Sequence, residues 1–156
     1  MTTSLEHLGA MLDELGPATP EVVLIEQATP NTWLIALEEG GAALAVKLDE
    51  STDVVTLSCE LGRPQESVRE RVYEALLIYN GLSDLHGGIR MALREPAGAV
   101  LQEFDVHLQT LDVDGLRRIV QDFSRKAAAW EEIIESAEPP AADDAMQGAS
   151  WEALRV

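Results

Sequence analysis

The stretch Glu66–Asn80, ESVRERVYEALLIYN, decides how the rest of the chain is read. Its first half is that of a surface helix, with Arg69, Glu70 and Arg71 set among Val68 and Val72. Its last two turns differ. At about 100° per residue, Val72, Ala75, Leu76 and Tyr79 fill one face, while Leu77 falls to one side and Ile78 to the other. Apolar groups surround almost the whole circumference, and a helix of that kind has more than one surface to cover. One surface is expected to be its own sheet. For the other, the pattern leaves open a central core position in one chain or contact with a second subunit.

Upstream, Pro20 to Gly62 reads as a β region. The segments Val22–Gln27, Thr32–Glu39, Ala43–Glu50 and Asp53–Leu61 are separated by turn signals at Thr29-Pro30-Asn31, Gly40-Gly41 and Glu50–Asp53. Within Ala43–Leu48 the alternation puts Leu44, Val46 and Leu48 on one face. In Thr32–Glu39 both parities are apolar, Leu34 and Ala36 against Trp33, Ile35 and Leu37. Such a strand is covered on both faces or offers its outer face to a partner. Ahead of the strands, Thr2–Leu15 forms a first helix, capped by Thr3 or Ser4 and stopped by Gly16 and Pro17. Leu5, Leu8, Met11, Leu12 and Leu15 make its apolar stripe.

Downstream, Gly81–Gly88 is a loop. Ile89–Arg94 and Ala99–His107 are two further strands turning at Glu95-Pro96-Ala97-Gly98. Asp112 or Asp114 caps a last helix with one stripe through Val113, Leu116, Ile119, Val120, Phe123, Ala127, Trp130 and Ile134. Arg117, Arg118, Arg125 and Lys126 are expected off that stripe, on a solvated face. Pro139-Pro140 ends the pattern, and residues 137–156 read as an acidic, Pro/Ala-rich tail with an apolar tip at Trp151, Leu154 and Val156. The expected architecture is α+β, a single domain over 1–136: helix, antiparallel sheet of five or six strands, middle helix, long C-terminal helix.

The 156 residues suffice for one ordinary core, and a hydrophobic content of 46% excludes global disorder. Eleven basic against 28 acidic residues give a net charge of −17. That balance excludes nucleic acid as a partner, since phosphate binding needs a basic patch, and disfavours an anionic membrane. It favours solubility and the steering of basic partners. The lone Cys59 cannot pair within the chain, no Lys or Arg precedes Lys47 to make a signal-peptide n-region, and no apolar run approaches the roughly 20 residues of a membrane span. A soluble cytoplasmic protein is the expectation.

Catalytic signatures are missing: no GxxxxGK[ST], GxGxxG, HExxH, CxxC pair or GxSxG. Asp112-Val113-Asp114-Gly115 shares part of a calcium-loop pattern, but Thr110 and Gln121 stand where its first and twelfth ligands belong. His7, His86 and His107 lack metal-ligand spacing and read as surface or turn residues. Cys59 reads as a small strand residue. Neither an enzyme nor a cofactor or metal is expected.

Taken in order, Leu57…Leu61-Gly62, Leu76-Leu77-Ile78-Tyr79-Asn80, Gly87-Gly88-Ile89-Arg90-Met91-Ala92-Leu93 and Gly98-Ala99-Val100-Leu101 form a recognisable series. Leu111-Asp112-Val113-Asp114-Gly115-Leu116 and Phe123…Ala127…Trp130 continue it. The series resembles the class I type III secretion chaperones, the CesT/Tir-chaperone group, over residues 3–136. The resemblance implies a homodimer that holds a virulence effector in the bacterial cytoplasm. The effector's N-terminal segment would bind in extended form on apolar patches or as an added strand, for delivery to the secretion ATPase. It places the middle helix in the dimer interface, for which Val72, Tyr73, Leu76, Leu77, Ile78 and Tyr79 are the candidates. Strand and helix faces, not the family motif, make Leu5, Leu8, Leu12, Trp33, Ile35 and Leu37 the candidate effector-binding patch. The competing reading is an adaptor or regulatory domain of the same fold that binds a folded protein. Two features depart from the family pattern: Val22–Gln27 is either an extra strand or a lead-in, and the tail is long enough to cover a binding patch when no effector is present.

Overall fold

The computed structural model describes residues 1–38 and 43–136. Helix α1 (Ser4–Ala18) leads into strands β1 (Val22–Thr29), β2 (Thr32–Leu37), β3 (Leu44–Asp49) and β4 (Val54–Gly62). A 3₁₀ turn (Glu66–Val68) opens helix α2 (Arg69–Gly81), and a second (Ser83–His86) precedes β5 (Arg90–Leu93) and β6 (Val100–His107). Helix α3 (Val113–Glu135) closes the described chain. The six strands form one antiparallel sheet in the order β1-β2-β3-β4-β6-β5, with β1 and β5 as its edges. Val22–Gln27 is thus a true strand, extended to Thr29. The Gly40-Gly41 turn and the tail from 137 lie outside the described residues.

Two compact units share this chain: Met1–Cys59 with Phe104–Ser124, and Glu60–Glu103 with the chain from Arg125. In the first unit, Thr3 caps α1 through a complete capping box. Its hydroxyl accepts from the Glu6 N–H at 3.2 Å, and the Glu6 carboxylate accepts from the Thr3 N–H at 2.7 Å. Gly16-Pro17 was expected to end the helix, which instead runs on to Ala18. Pro17 removes one donor but sits in the last turn, where the Thr19 N–H folds back to the Gly16 carbonyl at 3.3 Å. Leu8, Met11, Leu12 and Leu15 are buried with Trp33, Ile35, Leu44, Val46, Leu48, Val55, Leu57 and Cys59. Across from Leu44, Val46 and Leu48 the β3 residues are more exposed, so the strand alternation holds. Asp53, at φ +54°, ties the unit together. Its carboxylate accepts from the Ser4 hydroxyl at 2.7 Å, and its carbonyl accepts from the Leu108 N–H at 2.9 Å.

In the second unit, Val72, Leu76 and Tyr79 of α2 are buried. The Tyr79 ring stacks on His86 with centroids 4.0 Å apart and meets Trp130 edge-on at 5.3 Å. His86, expected on the surface or in a turn, is in a turn but 1% exposed. Lys126, expected on a solvated face, is fully buried, and its ammonium donates to the His86 carbonyl at 3.4 Å. The reason lies in its position: Lys126 is three residues after Phe123 and four before Trp130, on the flank of the buried stripe. Its aliphatic stem is covered while its head reaches the end of the 3₁₀ turn. At the start of α3, Asp112 rather than Asp114 is the cap, accepting from the Gly115 N–H at 2.6 Å. Asp114 pairs with Arg117 at 2.6 Å instead.

Candidate functional site

Residues directly opposite one another in an antiparallel pair share a face. The pairs Leu24↔Ala36, Glu26↔Leu34, Leu34↔Ala45, Ala45↔Ser58 and Lys47↔Thr56 therefore trace the outer face of the first unit's sheet. Its outer corner is apolar, made by Leu24, Leu34, Ala36 and Ala45 across β1, β2 and β3. A register shift between Val22 and Leu24 adds to it. It leaves consecutive residues in solvent, Val23 at 66% and Leu24 at 55% exposure, beside Leu34 at 37%. Towards β4 the face turns polar, with Lys47 exposed and the Thr56 hydroxyl donating to Asp105 at 2.6 Å. The apolar corner lies along the edge of β1, whose outer backbone groups face no strand among the described residues.

The structure redistributes the expected effector-binding residues. Trp33 and Ile35 are buried under α1, where a Cβ built on Gly9 would lie 3.8 Å from the Trp33 ring. Leu8 and Leu12 are buried as well, so these four side chains are core and not surface. Leu5 and Leu37 remain partly exposed. Both faces of β2 are apolar, and alternation alone does not say which one α1 covers. The side left open belongs to Leu34 and Ala36, and the partners that sequence reasoning missed are Val23 and Leu24. Their signal was the unbroken Val22-Val23-Leu24-Ile25 run, which no single-faced strand needs.

A second apolar surface lies on α2. An open groove of about 800 Å³ is lined by Glu66, Arg69, Glu70, Tyr73, Glu74, Leu77 and Ile78. Leu77 is 70% exposed, while Tyr73 and Ile78 are half-buried. The Tyr73 hydroxyl and Arg69 Nε, both buried, have no hydrogen-bond partner among the described residues. Of the six expected interface residues, Tyr73, Leu77 and Ile78 therefore line this surface. Val72, Leu76 and Tyr79 face the unit's own core and are removed from the interface set. Among the described residues, no three His, Cys, Asp or Glu side chains group as metal ligands, and no helix is long and apolar enough to cross a membrane.

Among the described residues, a six-stranded antiparallel sheet, three helices and an open apolar sheet face define a small α+β protein. The sequence model of the Tir chaperone protein (CesT) family matches residues 31–131, and the chain belongs to that family. No curated protein sequence matches it. Among solved structures, it resembles a chain of the HopA1–SchA chaperone–effector complex, with TM-score 0.64 and 17% identity over 83% of this chain and 96% of that one. A chain of the heterodimeric ExoU–SpcU complex of the Pseudomonas aeruginosa type III secretion system matches with TM-score 0.60 and 17% identity, over 81% and 96%. The Yersinia pestis type III secretion chaperone SycH, in complex with a fragment of YscM2, gives 0.59 and 17%, over 82% and 99%. At these identities the likeness is one of fold.

Proposed function

We propose that this chain is a bacterial cytoplasmic chaperone of type III secretion. In this reading it holds the N-terminal segment of a secreted effector in extended form and keeps it competent for delivery to the secretion machinery, catalysing nothing itself. The observation that carries the proposal is the exposed apolar corner of Val23, Leu24 and Leu34 along a sheet edge that no strand among the described residues pairs. An unfolded segment loses roughly 1–2 kcal/mol per residue in backbone freedom when it is ordered. Strand addition along β1 satisfies its backbone groups. Burial of apolar side chains against the corner returns about 25 cal/mol per Å². Leu5 and Leu37, both partly exposed, remain candidates on the α1 side of the sheet, apart from this corner.

The chain works in this reading as a homodimer through α2. Leu77, Ile78 and Tyr73 supply the apolar area for that contact. The idea that the tail covers a binding patch concerns residues outside those described.

The test is co-purification with effectors of the host's type III system, followed by limited proteolysis of the complex. One effector protected over a stretch near its N-terminus, at two chaperone chains per effector, is the expected result. Retention of a folded partner without a protected segment replaces this reading with that of an adaptor.

A further inference from the structure

The two edges of the sheet are treated differently. The Arg94 N–H donates to the Ala99 carbonyl at 3.0 Å, which makes Arg94 a residue whose backbone faces β6. Antiparallel ladders alternate, so Ala92 and Arg90 also face β6, while Met91 and Leu93 turn their N–H and C=O groups to the free edge. At that edge stands Asn80, one residue from the end of α2. Its Oδ1 accepts from the Met91 N–H at 2.7 Å, and its Nδ2 donates to the Met91 carbonyl at 2.9 Å. A side-chain amide thus occupies both backbone groups that a neighbouring strand would use.

We infer that Asn80 is an edge lock, which prevents β5 from pairing with β5 of a second copy of this chain. The sequence of the strand shows why a lock is needed. Arg90-Met91-Ala92-Leu93-Arg94 is nearly symmetric about Ala92. Antiparallel pairing of two copies centred there sets Met91 opposite Leu93 twice, and those are the two outward-facing backbone positions. The like charges of Arg90 and Arg94, which would otherwise oppose such pairing, are neutralised on the same sheet. Arg90 pairs with Glu103 at 3.2 Å and Arg94 with Glu60 at 3.1 Å. Leu93, at 39% exposure, adds apolar area. Free sheet edges are templates for such association, and natural proteins close them with short strands, charges or covering groups. Here β5 is four residues long, and Asn80 closes the position at its middle.

The experiment compares wild type with Asn80→Ala by sedimentation equilibrium and by amide hydrogen exchange. In wild type, the Met91 amide exchanges slowly and the Leu93 amide fast; equal and fast exchange at both overturns the lock, whether or not any variant folds. In Asn80→Ala the mass at a given concentration rises at least about twofold over wild type, because every copy, whether alone or in an α2 dimer, gains a second two-fold contact. Adding Leu93→Pro removes an outward N–H without touching the ladder to β6, and returns the mass to that of wild type. A folded Asn80→Ala protein of unchanged mass overturns the proposal. So does association that survives in the double variant. These readouts concern self-association only and are independent of effector binding.

Discussion

Asp49, at the end of β3, accepts at one carboxylate oxygen from both the Ser51 hydroxyl, at 2.6 Å, and the Ser51 N–H, at 2.9 Å. These bonds, the side-chain one foremost, hold its pKa below the usual aspartate value. A carboxyl depressed by folding adds stability above its unfolded pKa, and that contribution is lost as pH falls through the folded pKa. Ser51→Ala should move the Asp49 pKa upward in an NMR titration, and an unchanged value would contradict the assignment. The turn between β5 and β6 carries a cost at another residue, Ala97, which sits at φ +54°. Ala97→Gly should raise stability by about 0.5–1 kcal/mol in denaturant unfolding, because glycine adopts that region freely. Gly98→Ala should lower it, since a Cβ there would meet the Glu95 carbonyl oxygen at 2.9 Å. Single-residue features divide by how local their cause is. The Asp112 cap was readable, as one of two candidates, because its partner is three residues away. The burial of His86 was not, because it depends on Tyr79 and Lys126, and the contact with Lys126 spans 40 residues.

Elements were legible where one pattern pointed one way. Helix α1 has a single stripe, a capping residue and a helix stop, and all three act, the stop a few residues later than composition implied. Removing its cap with Thr3→Ala should cost about 1 kcal/mol. Strand β2 shows the opposite case. Its two apolar parities are equivalent until α1 chooses one, and the choice made Trp33 and Ile35 core and Leu34 surface. The two classes should respond differently to substitution. Trp33→Ala should destabilise the fold by about 3–5 kcal/mol. Leu34→Asp should leave the melting temperature nearly unchanged but reduce effector retention at least tenfold in a competition pull-down. Helix α2 divides in the same way: Leu77→Asp should yield a folded protein of lower mass in light scattering, whereas Leu76→Asp should not fold. A dimer unaffected by Leu77→Asp would remove α2 from the proposed interface.

For the whole molecule, the order of helices and strands and the family followed from the sequence, since long apolar periodicities survive any detail of packing. Which apolar residues face outward did not follow, because exposure is settled by what lies above a strand and not by the strand. Net charge acts at this scale too. With −17 over 156 residues, self-repulsion opposes the compact state, and salt screens it. The melting temperature should rise between 20 mM and 500 mM sodium chloride, on the order of a few degrees. A fall would mean that ion pairs such as Arg90–Glu103 outweigh the repulsion.

The register shift at Val23 has a consequence for what can lie along β1. A strict every-other-residue rhythm in a bound segment stays in phase with β1 on one side of that shift and falls out of phase on the other. A second shift stands between Gln27 and Thr29, so a segment that fits the whole strand would carry a stutter near each end, set around an alternating middle. The edge would then measure the cadence of its client as well as its greasiness, and among many unfolded apolar chains it would admit those that break step at the right place.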